Sequence, residues 1–322
     1  MTYARIIGTG SALPERVLTN HDLERMVATS DEWIRARTGI ERRHIVADGE
    51  TTADLAETAT RRALDAAGVR PEELDLIIVG TTTPDFIFPN VGTLIQDRIG
   101  ANGCPAVSCE AACAGFIYAL SIGEKFIRVG EAKRVLVVGA ETLSRFTDWS
   151  DRGTCVLFGD GAGAVVLAPS EETGIIKTQL YADGQYRDLL YFPSGISSGF
   201  DALKSGGDFV KMRGNEVFRV AVRAFIESAE KILAATGMTA ADLDWFVPHQ
   251  ANLRIIEAVA KRLDLPMERV VVTIQEHGNT SAASVPLALD VAVRDGRIKR
   301  GQTLLFEAFG GGFTWGAALL RY

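Results

Sequence analysis

An internal duplication constrains the fold of this chain more than any other feature of its sequence. The segment LDAAGVRPEELDLIIVG, which starts at Leu64, aligns without gaps on LAATGMTAADLDWFVPH, which starts at Leu233, 169 residues later. The same offset places Val135 of RVLVVGA on Leu304 of TLLFEAF, so the match extends over about 70 residues. Because a repeat at a fixed spacing marks a repeated structural unit, the sequence predicts two similar halves.

Each copy alternates short β-rich runs with amphipathic helical stretches, which predicts an α/β protein. Runs such as ELDLIIVGTT are apolar almost throughout, as is typical of strands buried on both faces of a sheet. After an extra stretch of about 18 residues in the first half, AGAVVLA falls opposite WGAALLRY. No linker separates the copies, so we expect residues 1–173 and 174–322 to pack as one body.

Charge and composition argue against several classes of protein. The formal net charge of -7 is scattered along the 322 residues, which provides no basic surface for nucleic acid or an anionic membrane. No apolar run approaches the roughly 18 residues of a membrane span, and the N-terminus lacks a secretory signal pattern, so we expect a cytoplasmic protein. The four cysteines and four histidines have no metal-ligand spacing, and we expect no metal.

Cys113 is the candidate nucleophile. It precedes the apolar segment AGFIYALSIGEKFI, which we predict to be a buried central helix. Free N–H groups and the positive dipole end of a helix favour a thiolate, so we expect a lowered pKa for Cys113. Cys104, Cys109 and Cys155 lack this context and are expected to be small core residues.

Three other stretches complete a candidate site. VPHQANLR places His249 directly after an apolar strand, and EHGNTSAAS places Asn279 in the duplicate of the loop that carries Cys113. Loops related by the duplication should meet at one end of the molecule, where cysteine, histidine and asparagine could perform nucleophilic acyl chemistry. The glycines of EAFGGGFTWG could bring backbone N–H groups close enough to hold an oxyanion, although a glycine run can equally be a tight turn.

Taken together, AACAGF, DRGTCVLFGDGAGAVVL, VPHQAN, HGNTSAAS and EAFGGGFTWGAALLRY resemble beta-ketoacyl-acyl carrier protein synthase III, essentially from end to end. The resemblance implies a thiolase-like fold, with two βαβαβαββ halves in five α-β-α-β-α layers, and a homodimer. It implies that Cys113 takes a short acyl group from acyl-CoA, with acetyl-CoA as the expected donor, and that malonyl-acyl carrier protein then condenses with it. It implies no cofactor beyond the coenzyme A thioester substrate.

The resemblance also implies roles for individual residues. His249 and Asn279 would stabilise the enolate formed by decarboxylation, and the N–H groups of Cys113 and Gly311 would hold the thioester oxygen. For binding of coenzyme A the resemblance implies Trp33, Arg152, Thr29, Arg37 and Asn252. For the acyl pocket it implies Phe309 and Phe88, the latter contributed across the dimer.

Basic residues on two predicted helices are candidates for docking the acidic carrier protein. Arg254, Lys261 and Arg262 fall on one side of the helix after His249, and Arg219 forms an i, i+4 pair with Arg223. Such charges can also belong to ordinary solvated surfaces. Arg254 lies just outside the proposed site and is the preferred candidate.

The sequence also departs from the family pattern and leaves rival interpretations. Ser108 stands where many members carry aspartate, and Cys109 and Glu110 are also unexpected, which leaves the acyl preference open. The alternatives are a related Cys-His-Asn synthase of secondary metabolism, a papain-type hydrolase and a non-catalytic interaction protein. A dinucleotide-binding fingerprint in IIGTGSALP lacks its third glycine, and a thiolase would need a second cysteine near the final glycine loop.

Overall fold

The computed structural model of the chain describes residues 2–199, 201 and 209–322. In this part of the chain the strands, in order from β1 to β13, are Tyr3–Ala12, Val17–Thr19, Arg42–His44, Leu76–Gly80, Ala106–Cys109, Val135–Thr142, Asp160–Ser170, Ile175–Ala182, Leu190–Tyr191, Lys211–Met212, Trp245–Pro248, Thr303–Gly310 and Thr314–Arg321. The α-helices, in order from α1 to α9, are Asn20–Glu24, Asp31–Thr38, Thr52–Ala67, Val91–Ile99, Gly115–Arg128, Gly214–Ala234, Leu253–Arg262, Ile274–His277 and Ser284–Arg294.

Two mixed sheets form the framework, and they have matching strand orders. The first sheet has the order β1-β7-β6-β4-β5. Read in the same direction, the second sheet has the order β8-β13-β12-β11, without a strand that corresponds to β5. In the first sheet β4 runs parallel to β5 and β6, and β7 runs antiparallel to β6 and β1. In the second sheet β11 is parallel to β12, and β13 is antiparallel to both of its neighbours.

The helices complete five layers. Helices α3 and α4 cover the outer face of the first sheet, α6 and α7 cover the outer face of the second, and α5 and α9 lie between the sheets. Successive side chains of a strand point to opposite faces, so Val137 packs in the central layer whereas Val138 packs under the outer helices. This arrangement confirms the predicted duplicated α/β fold in five α-β-α-β-α layers.

The pairing of the strands gives the true register of the duplication. Leu76 pairs with Val135 and Trp245 pairs with Leu304, so both pairs keep the offset of 169. The offset does not hold in between. Ile77 pairs with Ala106, the first residue of β5, whereas Phe246, the counterpart of Ile77, is bridged to Val270 rather than to the counterpart of Ala106. The expectation of one offset over the whole stretch is therefore wrong around α4 and β5.

The second sheet has an isolated bridge where the first sheet has β5. Residues 270–273 lie between two short helical turns, and only Val270 forms a parallel bridge, to Phe246. The buried side-chain amide of Gln250 takes over the remaining pairing, since its Nε2 donates to Val271 O and its Oε1 accepts from the N–H groups of Thr273 and Ile274. A side chain thus satisfies backbone groups that a longer strand would pair.

The predicted boundary near Gly174 falls in the connection between the two sheets. Strand β7 ends at Ser170 and β8 begins at Ile175. Gly174 lies so close to β1 that a Cβ atom there would be 2.3 Å from Ala4 O. The division into residues 1–173 and 174–322 stays a proposal.

Candidate active site

Cys113 lies at a sharp bend between β5 and the central helix α5. The preceding residue, Ala112, has a φ of 45°, and a 3-10 turn over Ala112–Ala114 leads into the helix at Gly115. Positive φ is unfavourable for a residue with a Cβ atom, so the surrounding structure must hold this bend in place. The thiol is buried, as expected for a nucleophile at the end of a buried helix.

The thiol is not the resting thiolate that the sequence suggested. Burial raises the pKa of Cys113 to about 12, hydrogen bonding with the Ser281 side chain opposes this shift, and the charge of Glu141 adds to it. Removal of the side chain from water therefore outweighs the favourable position at the helix N-terminus. The expected lowering of the pKa is wrong, and the thiol needs a proton acceptor when it attacks.

His249 follows the last residue of β11 and is held from two sides. Its backbone N–H donates to Glu307 O at 2.7 Å, and its Nδ1 lies 2.5 Å from Ser284 Oγ. Ser284 Oγ also accepts the N–H of Gln250 at 3.3 Å. Among the residues described, Nδ1 is the acceptor available to the Ser284 hydroxyl, which leaves the imidazole proton on Nε2.

The other ring nitrogen of His249 points to a role in binding a ligand. Nε2 is buried and has no hydrogen-bond partner within the described ranges. Burial lowers the pKa of the imidazole to about 3, so the ring is neutral near pH 7. A neutral Nε2–H group is a donor without an acceptor, and a buried donor of this kind is costly unless a ligand uses it.

Asn279 offers a second free donor. Its Oδ1 accepts the backbone N–H of Ser281 at 2.9 Å, which orients the amide. Its own backbone is pinned by two hydrogen bonds, from Asn279 N to Leu157 O at 2.8 Å and from Gly159 N to Asn279 O at 3.0 Å. Nδ2 donates no hydrogen bond to any residue that the structure describes, so both of its hydrogens are available to a ligand.

One cavity of about 280 Å³ brings the three predicted catalytic residues together. Cys113, His249 and Asn279 all line it and are all buried, while its exposed end is lined by residues such as Arg152 and Arg254. The cavity therefore leads from solvent to the nucleophile.

The glycine loop lies against the nucleophile. A Cβ atom on Gly310 would be 2.5 Å from Cys113 N, so the two backbones are closer together than a residue with a side chain would allow. Gly311 and Cys113 both line a second cavity of about 700 Å³. Phe309 lines the first cavity and packs against Phe313, with ring centroids 4.5 Å apart.

The residues predicted to bind coenzyme A lie at the exposed end of the first cavity, with one exception. The Arg152 guanidinium carbon is 4.7 Å from the ring centroid of Trp33, and that of Arg37 is 5.7 Å away. Asn252 caps α7 and donates to Arg37 O at 3.1 Å. Thr29 does not line the cavity, and its hydroxyl is buried without a partner among the described residues.

Arg152 and Trp33 are in direct contact here, so a base could lie between them only if the guanidinium moved away. Arg152 is held by one hydrogen bond, from its Nη1 to Ala28 O at 3.0 Å, and its side chain is exposed. The sandwich around adenine stays a prediction.

The predicted docking residues do not form one cluster. Arg254 lines the cavity and lies 5.7 Å from the ring centroid of Phe218 on α6. Lys261 and Arg262 lie at the other end of α7, roughly 10 Å further along the helix at 1.5 Å per residue. Arg262 pairs with Glu230 at 3.1 Å, and Arg219 is exposed on α6 outside the cavity lining.

Phe88 and the unusual residues before the nucleophile do not line the first cavity. Phe88 is 84% exposed and does not line either cavity of this chain. Ser108 accepts the N–H of Gly92 at 3.4 Å, and Cys109 packs against the central core. Glu110 accepts the N–H of Ala112 at 2.9 Å and lines the second cavity.

Sequence reasoning missed three polar residues around the site. Ser284 orients His249, while Ser281 and the buried Glu141 lie beside Cys113. The duplication carried a signal for one of them, since Ser284 and its partner His249 stand at the positions that Gly115 and Gly80 occupy in the first half. Over the described ranges, no group of three or more His, Cys, Asp or Glu side chains could hold a metal ion.

Comparison with known proteins gives consistent similarities. Two family models match, 3-oxoacyl-[acyl-carrier-protein (ACP)] synthase III over residues 108–184 and 3-oxoacyl-[acyl-carrier-protein (ACP)] synthase III C terminal over residues 233–322. A beta-ketoacyl-[acyl-carrier-protein] synthase III of Xanthomonas campestris is 64% identical over 320 residues, covering 99% of this chain and 98% of the relative.

Solved structures are similar over the same length. The crystal structure of 3-oxoacyl-[acyl-carrier-protein] synthase III from Aquifex aeolicus superposes with a TM-score of 0.93 at 49% identity, over 99% of this chain and 100% of that one. The priming beta-ketosynthase of the R1128 polyketide biosynthetic pathway has a TM-score of 0.94 at 39% identity, over 99% and 96% of the two chains. In the described residues, no helix is long and apolar enough to cross a membrane.

Proposed function

The chain belongs to the 3-oxoacyl-[acyl-carrier-protein] synthase III family, and from this premise we propose which of its residues perform the reaction. The protein is an acyltransferase with a thiolase-like fold, and it catalyses the initiating condensation of fatty acid synthesis. A short acyl group passes from coenzyme A to a cysteine and then condenses with malonyl-acyl carrier protein. The products are a 3-ketoacyl-acyl carrier protein, carbon dioxide and coenzyme A.

Cys113 carries the acyl group. Its sulfur attacks the carbonyl carbon of acyl-CoA, and the carbon–sulfur bond to coenzyme A breaks. The N–H groups of Cys113 and Gly311 hold the oxygen that becomes negative during the attack. The close approach of Gly310 to Cys113 N supports this assignment, because it brings the glycine loop to the place where that oxygen forms.

His249 and Asn279 stabilise the second step. Decarboxylation of the malonyl group breaks a carbon–carbon bond and leaves a thioester enolate, whose carbon attacks the acyl group on Cys113. The enolate oxygen accepts hydrogen bonds from His249 Nε2–H and Asn279 Nδ2. The single observation that carries the proposal is that the buried His249 Nε2 is unpartnered among the described residues and that His249 and Asn279 line one cavity with the buried thiol.

The exposed end of the cavity binds the carriers of the acyl groups. Trp33 and Arg152 hold the adenine, and Arg37, Thr29 and Asn252 contact the rest of coenzyme A, which is a substrate rather than a resident cofactor. For the acidic carrier protein we propose Arg254 as the main docking contact, because it is the docking candidate that lines the cavity. We propose Lys261, Arg262 and Arg219 as more distant docking contacts on α6 and α7, with Arg262 already paired with Glu230.

We also propose a homodimer in which Phe88 of each subunit reaches the partner's acyl pocket. Phe86, Ile87 and Phe88 are strongly exposed, and Asn90 ties this segment to the edge strand β5 by a hydrogen bond to Ala106 O at 3.4 Å. An exposed apolar segment beside an open sheet edge is a surface that a second copy can cover. A cytoplasmic location fits the cysteines at 104, 109, 113 and 155, which are all free.

Mass spectrometry of the intact enzyme tests the proposal. The wild-type protein is mixed with acetyl-, propionyl- or isobutyryl-CoA, and the adduct is measured before malonyl-carrier protein is added. We expect an acetyl adduct that is lost in Cys113→Ser. His249→Ala and Asn279→Ala should keep the adduct but release no carbon dioxide from malonyl-carrier protein. Normal acylation of Cys113→Ser would contradict the assignment.

A condensing enzyme of secondary metabolism is the second candidate, because the priming ketosynthase of a polyketide pathway is 39% identical to this chain. The same primer panel separates the two functions. A strong preference for a bulky or unusual primer over acetyl-CoA would favour secondary metabolism, although an apolar pocket discriminates only about 1–3 kcal/mol per methylene group.

A further inference from the structure

A buried carboxylate that has no part in the reaction described so far lies behind the nucleophile. Glu141 is the penultimate residue of β6 and is fully buried. Under the offset of 169 its counterpart in the second half is Gly310, so the carboxylate is particular to the first half. A buried ionisable group without a cationic partner is costly and calls for a functional explanation.

Hydroxyl and amide donors surround both carboxylate oxygens. Oε2 accepts the Thr83 hydroxyl at 2.6 Å, and the N–H and hydroxyl of Thr82 lie within 3.2 Å of Oε1. Oε1 also accepts the Ser281 hydroxyl at 3.1 Å. These donors favour the ionised form, whereas burial disfavours it, and the balance raises the pKa of Glu141 to about 7.

Ser281 connects this carboxylate with the nucleophile. The short turn Ser281–Ala283 packs against the turn Ala112–Ala114, which places the Ser281 side chain beside the Cys113 thiol. Ser281, Cys113 and Thr82 line the same cavity. A hydroxyl that donates to Glu141 has a free lone pair for the S–H proton of Cys113, so the three groups form a chain in which a proton can move.

The chemistry requires such an acceptor. Cys113 holds its proton at rest, and the proton must leave as the sulfur attacks the thioester. His249 is a weak base because burial lowers its pKa to about 3, and its Nδ1 is engaged by Ser284. Glu141 is the nearby carboxyl whose pKa burial raises to about 7, and it accepts the hydroxyl of Ser281, which lines the same cavity as the thiol.

We propose that Ser281 and Glu141 form a proton relay that accepts the Cys113 proton during acylation. As the bond from Sγ to the acyl carbon forms, the thiol proton moves to Ser281 Oγ and the hydroxyl proton of Ser281 moves to Glu141 Oε1. As the bond from the acyl carbon to the coenzyme A sulfur breaks, the proton on Glu141 returns to Ser281, and Ser281 passes the proton that came from Cys113 to the leaving coenzyme A thiolate. The relay rests on the proposed role of Cys113, and Glu141 acts in it through Ser281.

Other ionisable groups lie near the relay. Cys113 faces it from the turn before α5, Glu110 lies at the second cavity, and Asp85 caps the N-terminus of α3 beyond the Thr81–Thr83 loop. His249 lies on the other side of the nucleophile. An inflection in the pH profile of acylation is therefore assigned to the relay only if it changes when Glu141 or Ser281 is substituted.

Single-turnover acylation by acetyl-CoA, followed by intact mass from pH 5 to pH 9, tests the relay. In the wild type the rate should fall as the pH drops below about 7, because protonation of Glu141 removes the acceptor. Glu141→Gln should acylate about 100-fold more slowly at pH 7.5 and should lose this inflection. Ser281→Ala, which keeps the carboxylate, should show the same two changes, while Glu141→Asp should regain part of the rate.

Asp160→Asn is the matched control. Asp160 is also a buried carboxyl bonded to a serine, Ser144 at 2.6 Å, but it does not line either cavity around Cys113. This variant should keep the wild-type rate and inflection. Circular dichroism spectra like that of the wild type for Glu141→Gln and Ser281→Ala would exclude misfolding.

Two outcomes would separate the relay from the function on which it depends. If the wild type forms an adduct on Cys113 and both variants acylate at its rate with its inflection, the relay is wrong and the role of Cys113 stands. If the wild type forms no adduct on Cys113, the proposed function itself fails, and the relay fails with it.

Discussion

At the scale of single residues, the neutral state of His249 follows from its surroundings. Burial keeps the ring uncharged, and Ser284 selects the nitrogen that carries the proton. An uncharged donor can stabilise a developing enolate without holding a carboxylate substrate as an ion pair. The residue type was readable from the sequence, but its tautomer was not, because Ser284 is 35 residues away.

We predict that Ser284→Ala impairs condensation and spares acylation. Loss of the hydroxyl leaves both imidazole tautomers accessible, so Nε2 would be unprotonated part of the time and decarboxylation should slow on the order of 10-fold or more. Carbon dioxide release from malonyl-carrier protein measures this step. Ser121→Ala is the control, because that hydroxyl is on the other central helix and bonds Thr178 at 2.7 Å. Decarboxylation at the wild-type rate in Ser284→Ala would refute the orienting role.

At the scale of the elements, the bend before α5 depends on the absence of a side chain at Gly310. Its backbone packs on Cys113 N, and main-chain atoms cannot move aside as a flexible side chain could. The glycine run was visible in the sequence. Its purpose was not, since a tight turn would use the same residues.

We predict that Gly310→Ala displaces the nucleophile. A Cβ 2.5 Å from Cys113 N forces the two loops apart, which should slow acylation more than 100-fold and lower the free energy of unfolding by about 1–3 kcal/mol. Intact mass and thermal denaturation measure the two effects. Gly184→Ala is the control, because nothing lies within 4 Å of its added methyl group. The explanation fails if Gly310→Ala acylates like the wild type.

The elements also show where a fixed offset is insufficient. The pattern of apolar runs predicted the strands and the central helices, because buried strands and helices impose their own periodicity. The short segment around Val270 could not be predicted, since its backbone is satisfied by the side chain of Gln250 rather than by a neighbouring strand. The periodicity of apolar residues does not reveal where a side chain replaces a neighbouring strand as the hydrogen-bond partner of the backbone.

At the scale of the whole molecule, the site needs both halves, and the proposed dimer would depend on one exposed segment. Cys113 comes from the first half, and His249 and Asn279 come from the second. The duplication predicted that convergence. The partner subunit's contribution rests on Phe88, whose exposure in a single chain is what the dimer proposal explains.

We predict that Phe88→Asp yields monomers. A carboxylate in the centre of the apolar segment would be buried unpaired at the interface, which opposes association. Sedimentation velocity at micromolar concentration should show the wild type as a dimer and the variant at half its mass. Val129→Asp, which replaces another exposed apolar residue at the end of α5, should stay dimeric. A dimeric Phe88→Asp variant would place the interface elsewhere.

The bend at Ala112 has a twin in the second half. Ser281, 169 residues later, has a φ of 49°. Both copies therefore have a backbone conformation that is unfavourable for a residue with a Cβ atom, although only one of them bears a thiol. At the twin bend the neighbouring Ala282 stands where the sulfur would be. If the relay is correct, the bend at Ser281 has a different role from the bend at Ala112. It turns a hydroxyl toward the opposite copy, so one bend presents the attacking sulfur and the other presents the group that receives its proton.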